Sequence, residues 1–153
     1  MKTIFGRLPA ICVAVLVAWP AAGQSVLDGD SLQIGNTRYR LNGIDAPEID
    51  QICRDGWRAG YEAGRYLEEL IDGKQVTCIA IDGRRNGEIN ALCRADGIDL
   101  AGAMVTAGRA FAFVPHSAQY IAQEAAAARA NRGVHAHGCM PPWKWRAQRS
   151  PSP

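Results

Sequence analysis

Four cysteines follow an apolar leader, and the two features together point to a small, cross-linked, exported fold. Residues 1–23 have the three parts of a secretory signal peptide: Lys2 and Arg7 at the front, an apolar run from Leu8 to Trp19, and the small residues Ala21-Ala22-Gly23 for cleavage. The apolar run is too short to span a bilayer. The expected product is therefore exported, periplasmic or secreted, with no membrane attachment after cleavage. Cys12 lies inside the leader and lacks the small preceding residue that a lipoprotein site requires. Cys53, Cys78, Cys93 and Cys139 remain. In an oxidising compartment this even set reads as two disulfides, with three possible connectivities.

Charge narrows the function. Lys2 and Arg7 account for two of the 17 basic residues, so the chain beyond residue 23 carries 15 basic against 15 acidic. That balance excludes a strongly basic nucleic-acid binder held by long-range charge alone. A length of 153 residues, 48% apolar and 21% charged, suits one globular domain. The domain is expected over residues 24–140, with 141–153 as a tail that ends in Ser and Pro.

The pattern along the domain is strands first, helices later. Val26 to Ile34 alternates around the turn Asp28-Gly29-Asp30, Gly35-Asn36 makes a hairpin turn, and Thr37 to Ile44 returns. Apolar residues at helical spacing run from Trp57 to Ile71, and Asp72-Gly73 closes that helix. Gln75 to Ile81 and Ile89 to Arg94 are strands, joined by the polar turn Asp82 to Gly87. Asp99 caps a short helix that runs to Ala107, and Ala110 to Val114 is extended. Ser117 is the expected N-cap of a helix from Ala118 to Asn131. This order predicts an α+β fold built on a small closed barrel with flanking helices.

The acidic residues beside the first turns carry the chemistry. Asp28, Asp30, Asp45 and Glu48 flank turns or strand ends, and the hairpin lets Asp30 and Asp45 face each other. Two carboxylates and a backbone carbonyl suit a hard cation such as Ca²⁺. A further carboxylate can activate water, and Arg40 on the same strand suits phosphate recognition. Read as composition alone, Asp-Gly-Asp and Asp-Ala-Pro-Glu are ordinary turn chemistry.

The order Val26-Leu27-Asp28-Gly29-Asp30-Ser31, then Arg40-Leu41-Asn42-Gly43-Ile44-Asp45-Ala46-Pro47-Glu48, resembles the staphylococcal nuclease (thermonuclease) family. The similarity continues through Gly73-Lys74-Gln75-Val76, Asp96-Gly97, Met104-Val105, Gly108, Arg132-Gly133 and Pro142-Trp143-Lys144-Trp145-Arg146. It implies a five-stranded OB-type barrel with three helices and Ca²⁺-dependent cleavage of single-stranded DNA or RNA by a monomer. It makes Asp30, Asp45 and the Ala46 carbonyl calcium ligands, Arg40 a phosphate contact and Glu48 the residue that activates water. The family's second arginine falls on Glu88, an acid that would repel phosphate. Arg84 and Arg85 in the adjoining turn are the substitutes to consider. The tyrosines that hold the nucleotide are absent, and Phe111 and Phe113 stand in the corresponding stretch as core or stacking residues.

Three functions follow. The first is a secreted nuclease with altered phosphate contacts. The second is a non-nucleolytic protein on the same scaffold, of the kind associated with succinoglycan-type exopolysaccharide production, its protein or polysaccharide partners unknown. The third is an OB-fold binding module. His135, His137 and Cys139 are weak metal candidates. Trp143 and Trp145 are expected to dock the tail, and Arg58 and Arg65 with Glu62, Glu68 and Glu69 to form a salt-bridged helix face. Cys78 and Cys93 sit on consecutive strands and Cys53 and Cys139 in a loop and the tail, so the expected bridges are Cys78–Cys93 and Cys53–Cys139.

Overall fold

The computed structural model describes residues 23–149, so nearly all of the expected signal peptide (1–22 of 1–23) lies outside the described residues, as does the chain from residue 150 onward. Strands β1 (Gln24–Val26), β2 (Ser31–Ile34) and β3 (Thr37–Leu41) form an antiparallel meander. The returning strand stops at Leu41 rather than Ile44. Gly43 takes a φ of 78° and turns the chain into a separate short strand, β4 (Ile44–Asp45). This break lets Asp45 leave the plane of β3 while staying close to Arg40.

Helix α1 (Ala59–Ile71) buries Ala59, Ala63, Leu67 and Ile71, one residue per turn on a single face. It starts two residues later than the apolar spacing suggests, because Trp57 stays outside and stacks on His137 with ring centroids 4.3 Å apart. Strand β5 (Val76–Arg85) runs through the expected turn, its register shifting between Ala80 and Arg84. It pairs with β6 (Glu88–Ala95), which lies parallel to β3 on its other side. The main sheet runs β1-β2-β3-β6-β5, and β7 (Ile98–Asp99) also pairs with β6. The fold is α+β and OB-like, as expected.

Asp99 caps α2 (Leu100–Thr106) by accepting from Gly102 N–H. Strand β8 (Phe111–Ala112) pairs only with β4, placing Phe111 opposite Asp45. Helix α3 begins at Ile121, not Ala118 (Ile121–Arg129). Ser117 Oγ accepts from Gln119 N–H in a local turn instead of capping the helix. Tyr120 then enters the core and donates its hydroxyl to Asp99 at 3.0 Å. Burial first, then the Asp99 charge, pushes the Tyr120 phenol well above its ordinary range.

The tail contains a helix that the sequence reading did not anticipate, α4 (Pro142–Arg149). Trp143 docks it against Phe111 and Phe113, at 5.9 and 5.4 Å between ring centroids. The bridges are Cys53–Cys139 and Cys78–Cys93, with Cα atoms 4.7 and 4.1 Å apart. The core between sheet and helices gathers Leu32, Leu41, Leu67, Leu100, Met104 and Tyr120. Among the described residues, no helix is long and apolar enough to cross a membrane.

Candidate functional site

Three strand ends bring the acidic residues together. Asp30 follows the β1–β2 turn, whose shape is fixed by its own N–H donating to Asp28 Oδ1 at 3.0 Å. Arg40 lies opposite Ser31 on β3, and Asp45 ends β4. Asp30 and Asp45 are 3% and 2% exposed, so both carboxylates need internal donors. Arg40 Nη2 supplies both, at 2.9 Å to Asp30 Oδ2 and 3.1 Å to Asp45 Oδ1. Ala46 N–H donates to Asp30 Oδ2 at 2.9 Å, and Ser31 Oγ donates to Asp30 Oδ1 at 3.3 Å.

Arg146, on α4, closes the cluster from the other side. Its Nη2 lies 2.8 Å from Asp45 Oδ2, and its Nη1 lies 2.6 Å from Glu48 Oε1 and 3.2 Å from Asp45 Oδ1. The sequence carried Arg146 inside the Trp-Lys-Trp-Arg motif, but nothing in its spacing linked it to residues about a hundred positions earlier. Two contacts aim it: Gln51 Nε2 donates to the Met140 carbonyl at 2.7 Å, and the Cys53–Cys139 bridge ties the same loop to the tail.

Burial raises the Asp30 carboxyl well above the usual carboxylate range, and Arg40 offsets only part of that effect. Burial disfavours the Arg40 charge, yet Asp30, Asp45, Asp28 and Glu88 together raise its pKa. The hydrogen bond to Asp45 holds the Arg146 guanidinium above the ordinary arginine range; burial opposes it and the bond to Glu48 adds to it.

The cluster forms one end of a cleft of about 730 Å³, lined also by Asp82, Gly83, Asn86, Glu88, Asn90, Phe113 and His116. Residues 38–136 match the family model described as "Staphylococcal nuclease homologue". The chain belongs to that family. Over 100 residues it is 37% identical to the "Succinoglycan biosynthesis protein ExoI" of Rhizobium meliloti (strain 1021), covering 61% of this chain and 52% of the relative. The chain thus spans about half the length of that curated relative.

Within this staphylococcal nuclease homologue, Arg40 joins Asp30 and Asp45 directly, and Arg146 links Asp45 to Glu48. Glu88 begins β6 and lines the same cleft, so an acid faces the position where the resemblance calls for an arginine. Arg84 and Arg85 end β5, opposite Ile89 and Glu88 in register, and their side chains lie outside what the structure describes. Phe111 is buried, whereas Phe113 reaches the cleft wall.

The calcium that the resemblance implies would need free oxygen lone pairs from Asp30, Asp45 and Ala46. All four oxygens of Asp30 and Asp45 accept from protein donors, three of those bonds coming from Arg40 and Arg146 on Asp45 alone. Ala46 presents its N–H, a donor, to the shared carboxylate. A hard dication needs six to eight oxygen lone pairs. The residues as arranged do not fit it. Among the described residues, no group of three or more His, Cys, Asp or Glu is placed to hold a metal. The candidate at His135, His137 and Cys139 is dispersed: Cys139 is bridged, His137 Nδ1 lies 2.6 Å from Asp55 Oδ2, and His135 packs edge-on against Phe111.

Proposed function

We propose that this chain is an exported, non-nucleolytic accessory protein of exopolysaccharide production, using the nuclease-type cleft for binding. The observation that carries this reading is Glu88 beside Asp82 in the cleft, where an anionic substrate would need positive charge. Removing one stabilising donor from a phosphoryl-type site costs about 3–4 kcal/mol of transition-state stabilisation, and a carboxylate in its place adds repulsion. The 37% identity with a protein named for succinoglycan biosynthesis supports the same reading.

A specific observation favours a second reading. Arg40, Asp45 and Glu48 line one cleft, and Arg146 brings a second guanidinium to Asp45 and Glu48, a set that could serve the calcium-dependent phosphodiester cleavage the resemblance implies. In that reading Arg146 releases Asp45 and Glu48 to meet the phosphate, freeing Glu48 to activate water.

The deciding assay uses single-stranded DNA and protein purified after export, with calcium or EDTA, beside Glu48→Gln. The accessory reading expects no hydrolysis above the Glu48→Gln level. It also expects Glu48→Gln to restore exopolysaccharide yield in a deletion strain. Calcium-dependent hydrolysis that Glu48→Gln abolishes would establish the second reading instead.

A further inference from the structure

Resting on the accessory reading, we infer that the cleft binds a neutral oligosaccharide segment, with Asp82, Glu88 and Asn86 bonding to sugar hydroxyls and Phe113 forming an apolar wall. The two guanidiniums are charge-paired with Asp30, Asp45 and Glu48, Arg40 through its Nη2 alone. Asn90 gives its Nδ2 to Asn42 Oδ1 at 2.9 Å and to Asp82 Oδ2 at 3.3 Å. Its Oδ1 is buried without a donor and is closed to the cleft, so Asn90 serves to hold Asp82 in place. Across the β5–β6 hairpin the lining adds the carboxylates of Asp82 and Glu88 and the amide of Asn86. This wall holds an excess of acceptors.

A phosphodiester is matched poorly to such a wall: it carries a negative charge and offers only acceptors. A sugar hydroxyl both donates and accepts and carries no charge. A row of hydroxyls therefore satisfies Asp82 and Glu88 without electrostatic penalty. Each pyranose also has an apolar C–H face. Phe113, packed edge-on to His116 at 4.8 Å and tilted against Trp143 at 5.4 Å, gives the opposite wall a rigid aromatic surface. A cleft of about 730 Å³ lies within the size range of small-molecule sites, roughly 300–1,000 Å³. That is room for an oligosaccharide segment rather than a single small ion.

The test is NMR titration of ¹⁵N-labelled protein with cellotetraose, laminaritetraose and a β-galactotetraose as probes, alongside an oligothymidine. Saturable shifts are expected at the Asn86 and Asn90 side-chain amides and the Phe113 amide with at least one neutral probe. Phe113→Ala is expected to weaken that binding at least tenfold. Glu88→Arg, at a partly exposed strand end that should tolerate it, is expected to do the same. Absence of shifts with all three sugars, or sugar binding that neither variant weakens, would overturn the site. So would shifts at these residues with oligothymidine alone. The Glu48-dependent hydrolysis assay separates the two ideas: no hydrolysis and no sugar binding removes only the glycan site, whereas calcium-dependent hydrolysis removes the accessory reading beneath it.

Discussion

Arg40 lies between two carboxylates that water scarcely reaches, and its removal leaves Asp30 with only an amide and a hydroxyl. Breaking a buried ion pair by deleting one partner costs about 3–5 kcal/mol. Arg40 is about one-third exposed, so water offsets part of this, and Asp45 keeps Arg146. Arg40→Ala is therefore expected to lower stability by about 2–3 kcal/mol in urea unfolding. Arg40→Lys should recover part of the loss, since an ammonium restores charge but not the two-carboxylate geometry. A second residue-scale prediction concerns Asp55. Its hydrogen bond to His137 holds the carboxyl below its ordinary value of 3.8. A lowered carboxyl stabilises the fold fully above its unfolded pKa, and that contribution disappears as pH falls through the folded value. Carbon-detected NMR titration should place the wild-type Asp55 midpoint below the ordinary value. His137→Phe, which can keep the stack on Trp57, should move it only part of the way back, because the Trp57 N–H still donates to Asp55 Oδ1.

At the scale of elements, α1 reaches the site through Gly60. A Cβ there would overlap the Glu48 carbonyl and crowd the Ile49 Cα, so α1 can approach the β4–α1 loop only with glycine at this position. Gly60→Ala is expected to cost about 2–3 kcal/mol, as overpacking does. In an NMR spectrum its largest shifts should fall on Glu48 to Gln51. Helix α4 depends on a different constraint. The Cys53–Cys139 bridge closes a loop of 86 residues, worth about 4–5 kcal/mol in the chain-entropy model, against about 3 for the 15-residue separation of Cys78–Cys93. The double variant Cys53→Ser/Cys139→Ser should unfold at lower denaturant than Cys78→Ser/Cys93→Ser. It should also lose amide-exchange protection first in α4, where Arg146 sits. These elements show what the sequence made legible. The cap at Asp99 is a local pattern and appears as read, whereas of the apolar spacing from Trp57 to Ile71 only Leu67 and Ile71 are fully buried, with Ala59 and Ala63 completing the stripe and Tyr61 left exposed. The start of α3 was misread because Tyr120 is drawn into the core by Asp99, a contact 21 residues away that no local pattern encodes. Asp30, Arg40, Asp45 and Glu48 were legible because they share one hairpin and its exit. Arg146 was not, because only the tethered tail brings it to them.

For the whole molecule, the question is how its field treats a polyanion. The full chain carries a formal charge of +2, and Lys2 and Arg7 within residues 1–23 account for that excess. The cleft itself sets Asp82, Glu88, Asp45 and Glu48 against Arg40 and Arg146. Non-specific nucleic-acid binders reach Kd values of roughly 10⁻⁴–10⁻⁶ M at physiological salt by releasing counterions from phosphates their cations neutralise. With both cleft guanidiniums committed to carboxylates, this protein has few cations in the cleft free to do so. Fluorescence anisotropy with a labelled oligothymidine is expected to give a Kd weaker than about 10⁻⁴ M at physiological salt, with a shallow dependence of log K on log salt. Glu88→Arg reverses one charge on the wall facing that strand. It should tighten binding and steepen the slope by about 0.7 for one additional phosphate contact. If wild type already binds tightly with a steep slope and Glu88→Arg changes neither, the strand runs elsewhere on the surface. The charge of the cleft would then no longer argue against a nucleic-acid ligand.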